Sequence, residues 1–460
     1  MRRAPVHFVG IGGIGMSAIA RVLLARGERV TGSDVQATPM VETLRREGAD
    51  VTIGHAGANV SGARVVIVSS AIDRRNPEYV AARRNGTPVL HRGEMLAQIM
   101  EGRRGIAVSG THGKTTTTAM THAVLRTAGI DAGLALGGID RGLDANAHDG
   151  TAPWFVTEAD ESDGSFALLE PAIAVVTNIE NDHLTSDDDL PQLVRAFEAF
   201  LEKVPADGTA LIGVDNAHSA SLAENQRRSR VVTFGLVDTA EVRATNLCCE
   251  GAGVRFDLRD GKARLGRVEL GVPGVINVQN ALAAVAVGRE LGIPFAAIAT
   301  ALHEFRGVRR RFDVLASNER MTVIDDYAHH PTAVRATIAA ARAYRAAPLI
   351  VAFQPHRYTR TAFLARDFAD ALRGADCVYL TPVYAASEPA IPGVSERSIG
   401  EPLSAARTPV TYVAHADDLE ERIFEEAPPG ALVLFLGAGN VTDVAARLAQ
   451  RVEREDAVRA

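Results

Sequence analysis

Gly105-Ile-Ala-Val-Ser-Gly-Thr-His-Gly-Lys-Thr-Thr-Thr-Thr118 reads as an apolar strand, a turn punctuated by glycines and the opening of a helix. In that setting Lys114 reaches terminal phosphates, Thr115 offers a hydroxyl to magnesium, and Gly110 and Gly113 permit close approach of the backbone. The loop is shorter than the usual Gly-x-x-x-x-Gly-Lys form, which would need glycine where Val108 stands. That departure points away from ordinary kinases and GTPases. A chance Gly-Lys-Thr in a flexible turn is the competing reading, and the flanking strand and helix weigh against it.

Outward from this loop, short β-branched runs recur: VHFVG (6–10), RVVIVSS (64–70), AIAVVTNI (172–179), MTVIDDY (321–327), APLIVAFQ (347–354) and ALVLFLGAGN (431–440). Most have apolar residues on both faces, and alanine-rich helical patterns such as AMTHAVLRTAGI (119–130) lie between them. Parallel strands covered by helices are predicted. Residues 254–270 differ, alternating around the turn signal Asp260-Gly261, and predict a small antiparallel excursion. Fresh starts near residues 6, 105 and 321, with charged segments before the last two, put boundaries near 103 and 314. The tail 447–460 reads as a helix fraying into solvent.

At 460 residues the chain allows two or three domains. With 47% hydrophobic and 23% charged residues it buries ordinary cores and lacks the signature of disorder. A net charge of −7 is too mild to imply a nucleic-acid partner. No apolar run is long enough for a membrane span. The cysteines, Cys248, Cys249 and Cys377, form neither a disulfide ladder nor a CxxC metal site, and a reducing cytoplasm is expected.

A second glycine turn, Gly10-Ile-Gly12-Gly13-Ile-Gly15, follows the first strand, and Asp34 ends the next one. This suits a dinucleotide, with Asp34 accepting from ribose, another nucleotide diphosphate, or simply a tight turn. Two phosphate-type loops about 100 residues apart favour an enzyme that uses ATP at one and holds a nucleotide-tagged substrate at the other. A nicotinamide oxidoreductase leaves Lys114 unexplained, and a regulator without chemistry leaves the acidic residues unexplained. Those residues are Glu158, Asp160, Glu161 and Asp163 in TEADESDGSF, and Asp182 with His183 in TNIENDH, each cluster at the end of an apolar run. Carboxylates, an imidazole and the Thr115 hydroxyl suit magnesium bridging phosphates; a solvated acidic loop is the alternative.

GTHGKT (110–115), EADESDGSF (158–166), TNIENDH (177–183) and DDYAHHPT (325–332), after GIGGIGMS (10–17) and VTGSD (30–34), resemble the bacterial Mur ligases over essentially the whole chain. The resemblance implies an α/β protein of three domains. A Rossmann-like domain (1–103) would bind a UDP-sugar, a central P-loop-type domain with a parallel sheet (104–313) ATP and Mg2+, and a Rossmann-like domain (314–460) the amino acid. It implies an ATP-dependent amide ligase acting on UDP-N-acetylmuramate and L-alanine, with a tripeptide as the rival second substrate. A monomer or homodimer is expected.

Residue by residue, the resemblance assigns Gly110, Thr111, His112, Gly113, Lys114, Thr115 and Thr116 to ATP, and Thr115, Glu158 and His183 to the metal. Glu161 competes with Glu158, and spacing to His183 favours Glu158. The family's adenine-side Gly-x-His-Asn-x-x-Asn reads Gly274-Val-Ile276-Asn277-Val-Gln-Asn280, so isoleucine replaces histidine. Asn277 and Asn280 remain assigned to ATP, as are Arg311 and Asp326. Lys114, Glu158, His183 and Arg311 are the expected catalytic set. Gly12, Gly13, Gly15, Asp34, Ser69 and Ser70 are assigned to the UDP-sugar. Tyr327, His329, His330, His356, Arg357 and Arg360 would face the amino acid and the reaction centre, the arginines gripping a carboxylate. After His183 the family often continues with aspartate and an aromatic; here Leu184-Thr-Ser-Asp187 follows, and contacts from that loop do not carry over.

Overall fold

The computed structural model describes residues 4–161, 164–180 and 189–459. Its strands form three sheets, each with parallel neighbours at its centre. In the first, Val6–Val9 lies at the centre, flanked by Val30–Asp34 and Val65–Val68 in parallel. The second has ten strands, with Arg104–Ser109 between Ile173–Val176 and Trp154–Glu158, again parallel. In the third, Ala431–Leu436 runs parallel between Met321–Asp326 and Leu349–Phe353. Apart from the exposed Arg104 that opens the second, these central strands are buried along their length, which fits their apolar runs.

The expected antiparallel excursion is present: Val242–Glu250, Gly253–Asp260 and Ala263–Leu270 pair antiparallel at one edge of the second sheet. The other edge carries an unforeseen antiparallel strand, Ala145–His148 against Gly133–Asp140. The charged segment 306–321, read as a domain edge, contains the strand Asp313–Ser317, which closes one side of the third sheet. Its Phe312 and Ala316 are buried, and that apolar anchoring outweighs the surrounding charge.

Apolar packing divides the molecule unevenly. One continuous cluster joins the first sheet and its helices, including Phe8, Met16, Ile19 and Met100, to Ala135 and Phe155 of the middle sheet and Phe166 of the short turn Ser165–Leu168. Asn146 reinforces the join, its amide donating to the Ile14 carbonyl at 3.0 Å and its carbonyl accepting from Arg21 at 2.8 Å. The third sheet has its own clusters on its two faces. Its junction with the middle sheet includes polar contacts, Arg141 to Asp313 at 2.7 Å and Thr332 to Glu180 at 2.7 Å. Polar interfaces of this kind permit relative motion more readily than a shared core does.

Candidate active site

The carboxyl ends of the central strands of all three sheets open onto one cleft of about 770 Å3. The first sheet contributes Gly13, Gly15, Ser69 and Arg92; the middle one contributes the loop Thr111–Thr116, Gly137 and Glu158; the third contributes Asp326 through His330. Arg311 lines it from the connection between them.

The loop after Arg104–Ser109 is laced to the end of the neighbouring strand. The Thr111 amide donates to the Asn178 carbonyl, and the His112 amide donates to Asn178 Oδ1 at 2.9 Å. Its two glycines are there for space. Gly110 has φ +131°, and a Cβ there would sit 2.1 Å from Thr177 Oγ1; Gly113 has φ +82°, and a Cβ would sit 2.2 Å from Asn280 Oδ1. The helix Lys114–Thr127 then begins directly at the lysine, so its N-terminal amides face the cleft's polar floor.

Lys114 Nζ donates to the Gly110 carbonyl at 2.6 Å and to Glu161 Oε1 at 2.8 Å. Glu158 accepts from the Thr115 hydroxyl at 3.0 Å and from the Gly137 amide at 2.5 Å. The two candidate glutamates thus divide the loop, Glu158 at the threonine and Glu161 at the lysine. Burial pushes both carboxyls above their ordinary range; Lys114 opposes the shift at each, joined at Glu158 by the Gly137 and Thr115 hydrogen bonds and by Arg311. Among the described residues Glu161 Oε2 is buried without a hydrogen-bond partner. A hydroxyl and a carboxylate meeting at 3.0 Å fit a hard divalent cation, which favours oxygen ligands. His183, the third expected ligand, and the acidic residues Asp163 and Asp182 lie outside the described residues.

Asn277 and Asn280 occupy the first turns of the helix Val275–Glu290 and face the loop: Thr117 Oγ1 donates to Asn280 Oδ1 at 3.3 Å, and Asn280 Nδ2 donates to Asn277 Oδ1 at 3.1 Å. Ile276 lines the cleft beside them. Asp326 is buried, accepts from the amides of Phe312 and Ala328 at 2.7 Å each, and is pushed upward by burial against the pull of Arg311. Arg311 lies over the Tyr327 ring. Of its neighbours, Arg309 forms a surface pair with Asp144, and Arg310 donates to the Gly437 carbonyl.

Other assigned residues stand back from the cleft. His356 and Arg360 do not line it, yet a row of rings, Tyr327, His329, His356 and Tyr384, links them to its wall with centroids 4.9, 5.6 and 5.7 Å apart. Arg357 precedes the helix Tyr358–Leu372 with φ +69°. Asp34 accepts from the Gly12 amide at 2.8 Å and so props the first glycine turn, while Ser70 pairs with His91 outside the cleft.

Four participants escaped the sequence reading. Arg92 projects from the end of the strand Val89–His91 and pairs with Asp160 at 2.7 Å; its position after a strand is the signal that could have found it. Gly137 and Gly138 admit Glu158 and Thr115, whose atoms a Cβ would meet at 2.9 and 2.8 Å. Glu180 accepts from Thr332 and stands 3.4 Å from His112 Nε2; burial would raise its carboxyl, but His112 and the Thr332 hydrogen bond hold it below the ordinary range.

Family profiles match in the same order as the sheets. Residues 5–104 match the Mur ligase family catalytic domain, 108–288 the Mur ligase middle domain, and 310–439 the Mur ligase glutamate ligase domain. The chain belongs to the Mur ligase family. This Mur ligase is 44% identical to the UDP-N-acetylmuramate–L-alanine ligase of Solibacter usitatus over 452 residues, 98% of this chain and 96% of that one. The crystal structure of UDP-N-acetylmuramate-alanine ligase from Thermotoga maritima superposes with a TM-score of 0.85 at 31% identity, covering 98% and 99% of the two chains. A murein peptide ligase from Psychrobacter arcticus gives 0.74 at 25% identity, covering 97% and 98%. Among the described residues no helix is long and apolar enough to cross a membrane.

Proposed function

We propose that this Mur ligase joins L-alanine to the lactyl carboxylate of UDP-N-acetylmuramate with release of ADP and phosphate, a cytoplasmic step of peptidoglycan synthesis. The observation that carries the reading is the single cleft lined from three sheets, with Lys114, Glu158 and Arg311 on its wall. The names of relatives at 44% and 31% identity over nearly the whole chain supply the substrates. Residues 1–103 hold the UDP-sugar, 104–313 hold ATP, and 314–460 hold the amino acid.

A carboxylate acquires a leaving group by attacking the γ-phosphorus of ATP, breaking the bond to ADP and forming an acyl phosphate. Positioning and charge are most of what this step asks of a protein. Lys114 exchanges its contacts with Gly110 and Glu161 for phosphate oxygens, and Arg311 adds a second cation from the connection between the middle and third sheets. Thr115 and Glu158, together with His183, hold magnesium. When bound, that ion neutralises charge on the phosphate oxygens. Asn277 and Asn280 steady the nucleotide side of the loop. The alanine amine then attacks the acyl carbon, and the tetrahedral intermediate expels phosphate. His329 or His330 takes the proton that leaves the amine, and His356, Arg357 and Arg360 orient carboxylates. Closure of the third sheet over the cleft keeps water from the acyl phosphate.

The test is phosphate release by the purified chain with Mg-ATP, UDP-N-acetylmuramate and either L-alanine or the tripeptide. Release is expected with L-alanine and only when all substrates are present. Release without the sugar nucleotide, or a preference for the tripeptide, overturns the assignment.

A further inference from the structure

His112 lies in the phosphate loop, Glu180 follows the strand Ile173–Val176, and His330 precedes the helix Pro331–Tyr344. Two imidazoles and a carboxylate, one ligand atom from each, lie within 4.8 Å of one another across the junction of the middle and third sheets. The ligation mechanism uses these donors singly at most, and with His330 bound to a cation His329 is the group that takes the proton from the amine.

We propose that His112, Glu180 and His330 bind one borderline divalent cation of the Zn2+ or Co2+ class, fastening the third sheet to the phosphate loop. Three observations support it. His112 Nε2 and Glu180 Oε2 are 3.4 Å apart, longer than a charge-assisted hydrogen bond of about 2.7–2.9 Å. The gap matches the roughly 3.3 Å edge of a tetrahedron whose bonds are about 2.0 Å. The Thr332 hydroxyl donates to Glu180 Oε2 at 2.7 Å, the kind of outer contact that fixes a ligating carboxylate. Finally, the rings of His112 and His330 lie side by side, centroids 5.0 Å apart, with His330 only 7% exposed, so the imidazoles converge on one side of the carboxylate.

Ligand chemistry separates this site from the magnesium position. Magnesium prefers oxygen donors, as at Thr115 and Glu158, whereas imidazole pairs suit zinc and its neighbours. Because His112 and Glu180 come from one sheet unit and His330 from the other, the ion favours whichever arrangement brings them together.

The test uses full-length protein stripped with EDTA, in a background where Cys248, Cys249 and Cys377 are serine so that no thiolate contributes. Co2+ is titrated with excess Mg2+ present and followed by its visible d–d absorption, with Zn2+ as competitor. One equivalent is expected, displaced by Zn2+ and not by Mg2+, with affinity at least tenfold weaker in Glu180→Gln and His330→Asn. Thermal unfolding of the metal-free variants, matched to the parent, separates lost ligands from lost folding. Should either variant fail to fold, His112→Asn is titrated instead. No stoichiometric binding, displacement by Mg2+, or unchanged affinity in folded variants overturns the proposal.

Discussion

Glu78 is fully buried and Glu158 half-buried at the cleft, and their surroundings treat them in opposite ways. Glu78 opens the helix Pro77–Arg84 and accepts from Ser33 at 2.6 Å, from Asn59 at 2.6 Å and from the Ala56 amide at 3.2 Å, with His7 at 3.3 Å. Burial alone would raise its carboxyl, but the hydrogen bonds from His7, Ser33 and Asn59 hold it at about 2. Glu158 has Thr115 and Gly137, and burial wins there, raising the carboxyl. A carboxylate satisfied by its own protein serves the fold; one left above its ordinary range beside a phosphate loop gains from a cation that arrives with substrate. Glu161, raised likewise and paired with Lys114, belongs with Glu158.

Lys114→Ala tests the ligand side of this contrast most severely. Phosphate release should fall about 1,000-fold or more, while the variant stays folded by circular dichroism. Retained turnover would strip the lysine of its role. Glu158→Gln should likewise lose activity at least about 100-fold with little change in urea midpoint, and the reverse pattern would break the contrast.

On the other side, Glu78→Gln should lower unfolding free energy by about 2–3 kcal/mol, on the scale of its displaced pKa, with kcat nearly unchanged where both proteins are folded. Acid follows from the same residue. Its folded value, about 2, lies below the ordinary 4.5, so its stabilisation is complete above pH 4.5 and is lost as pH falls toward 2. His122, buried and held neutral down to about 4 from an ordinary 6.5, loses its contribution earlier, as pH falls from 6.5 to 4. Urea midpoints measured from pH 7 to 3 should decline in the parent across both windows, and Glu78→Gln should make only the lower decline shallower, since Asp131 and Asp257 are also held low.

The smallest effect belongs to Ile276→His. Calorimetry should show ATP binding tightened by a few fold, about 1 kcal/mol, if a lost hydrogen bond matters. Unchanged affinity would mean that Asn277 and Asn280 suffice.

What was legible in the sequence were features whose physics is local. Apolar runs gave the central strands, the glycine spacing gave the phosphate loop, and Asp260-Gly261 gave the antiparallel edge. Partners far apart in the chain were not legible. Asn146 meets Ile14 across 132 residues and Thr332 meets Glu180 across 152, and neither stretch carries a pattern naming its partner. Glu78 looks from sequence like any acidic first-turn residue, because its partners come from three other segments. Asp34 is legible only in part: its place at a strand end suggests a ribose, while the Gly12 amide that donates to its Oδ2 lies 22 residues away with no local pattern to name it.

Activation of the carboxyl group in this cleft is tested most directly with UDP-N-acetylmuramate carrying 18O in both oxygens of its lactyl carboxylate. Acyl-phosphate chemistry predicts one labelled oxygen in each released phosphate and the other in the new amide carbonyl. Unlabelled phosphate accompanying amide formation would contradict it.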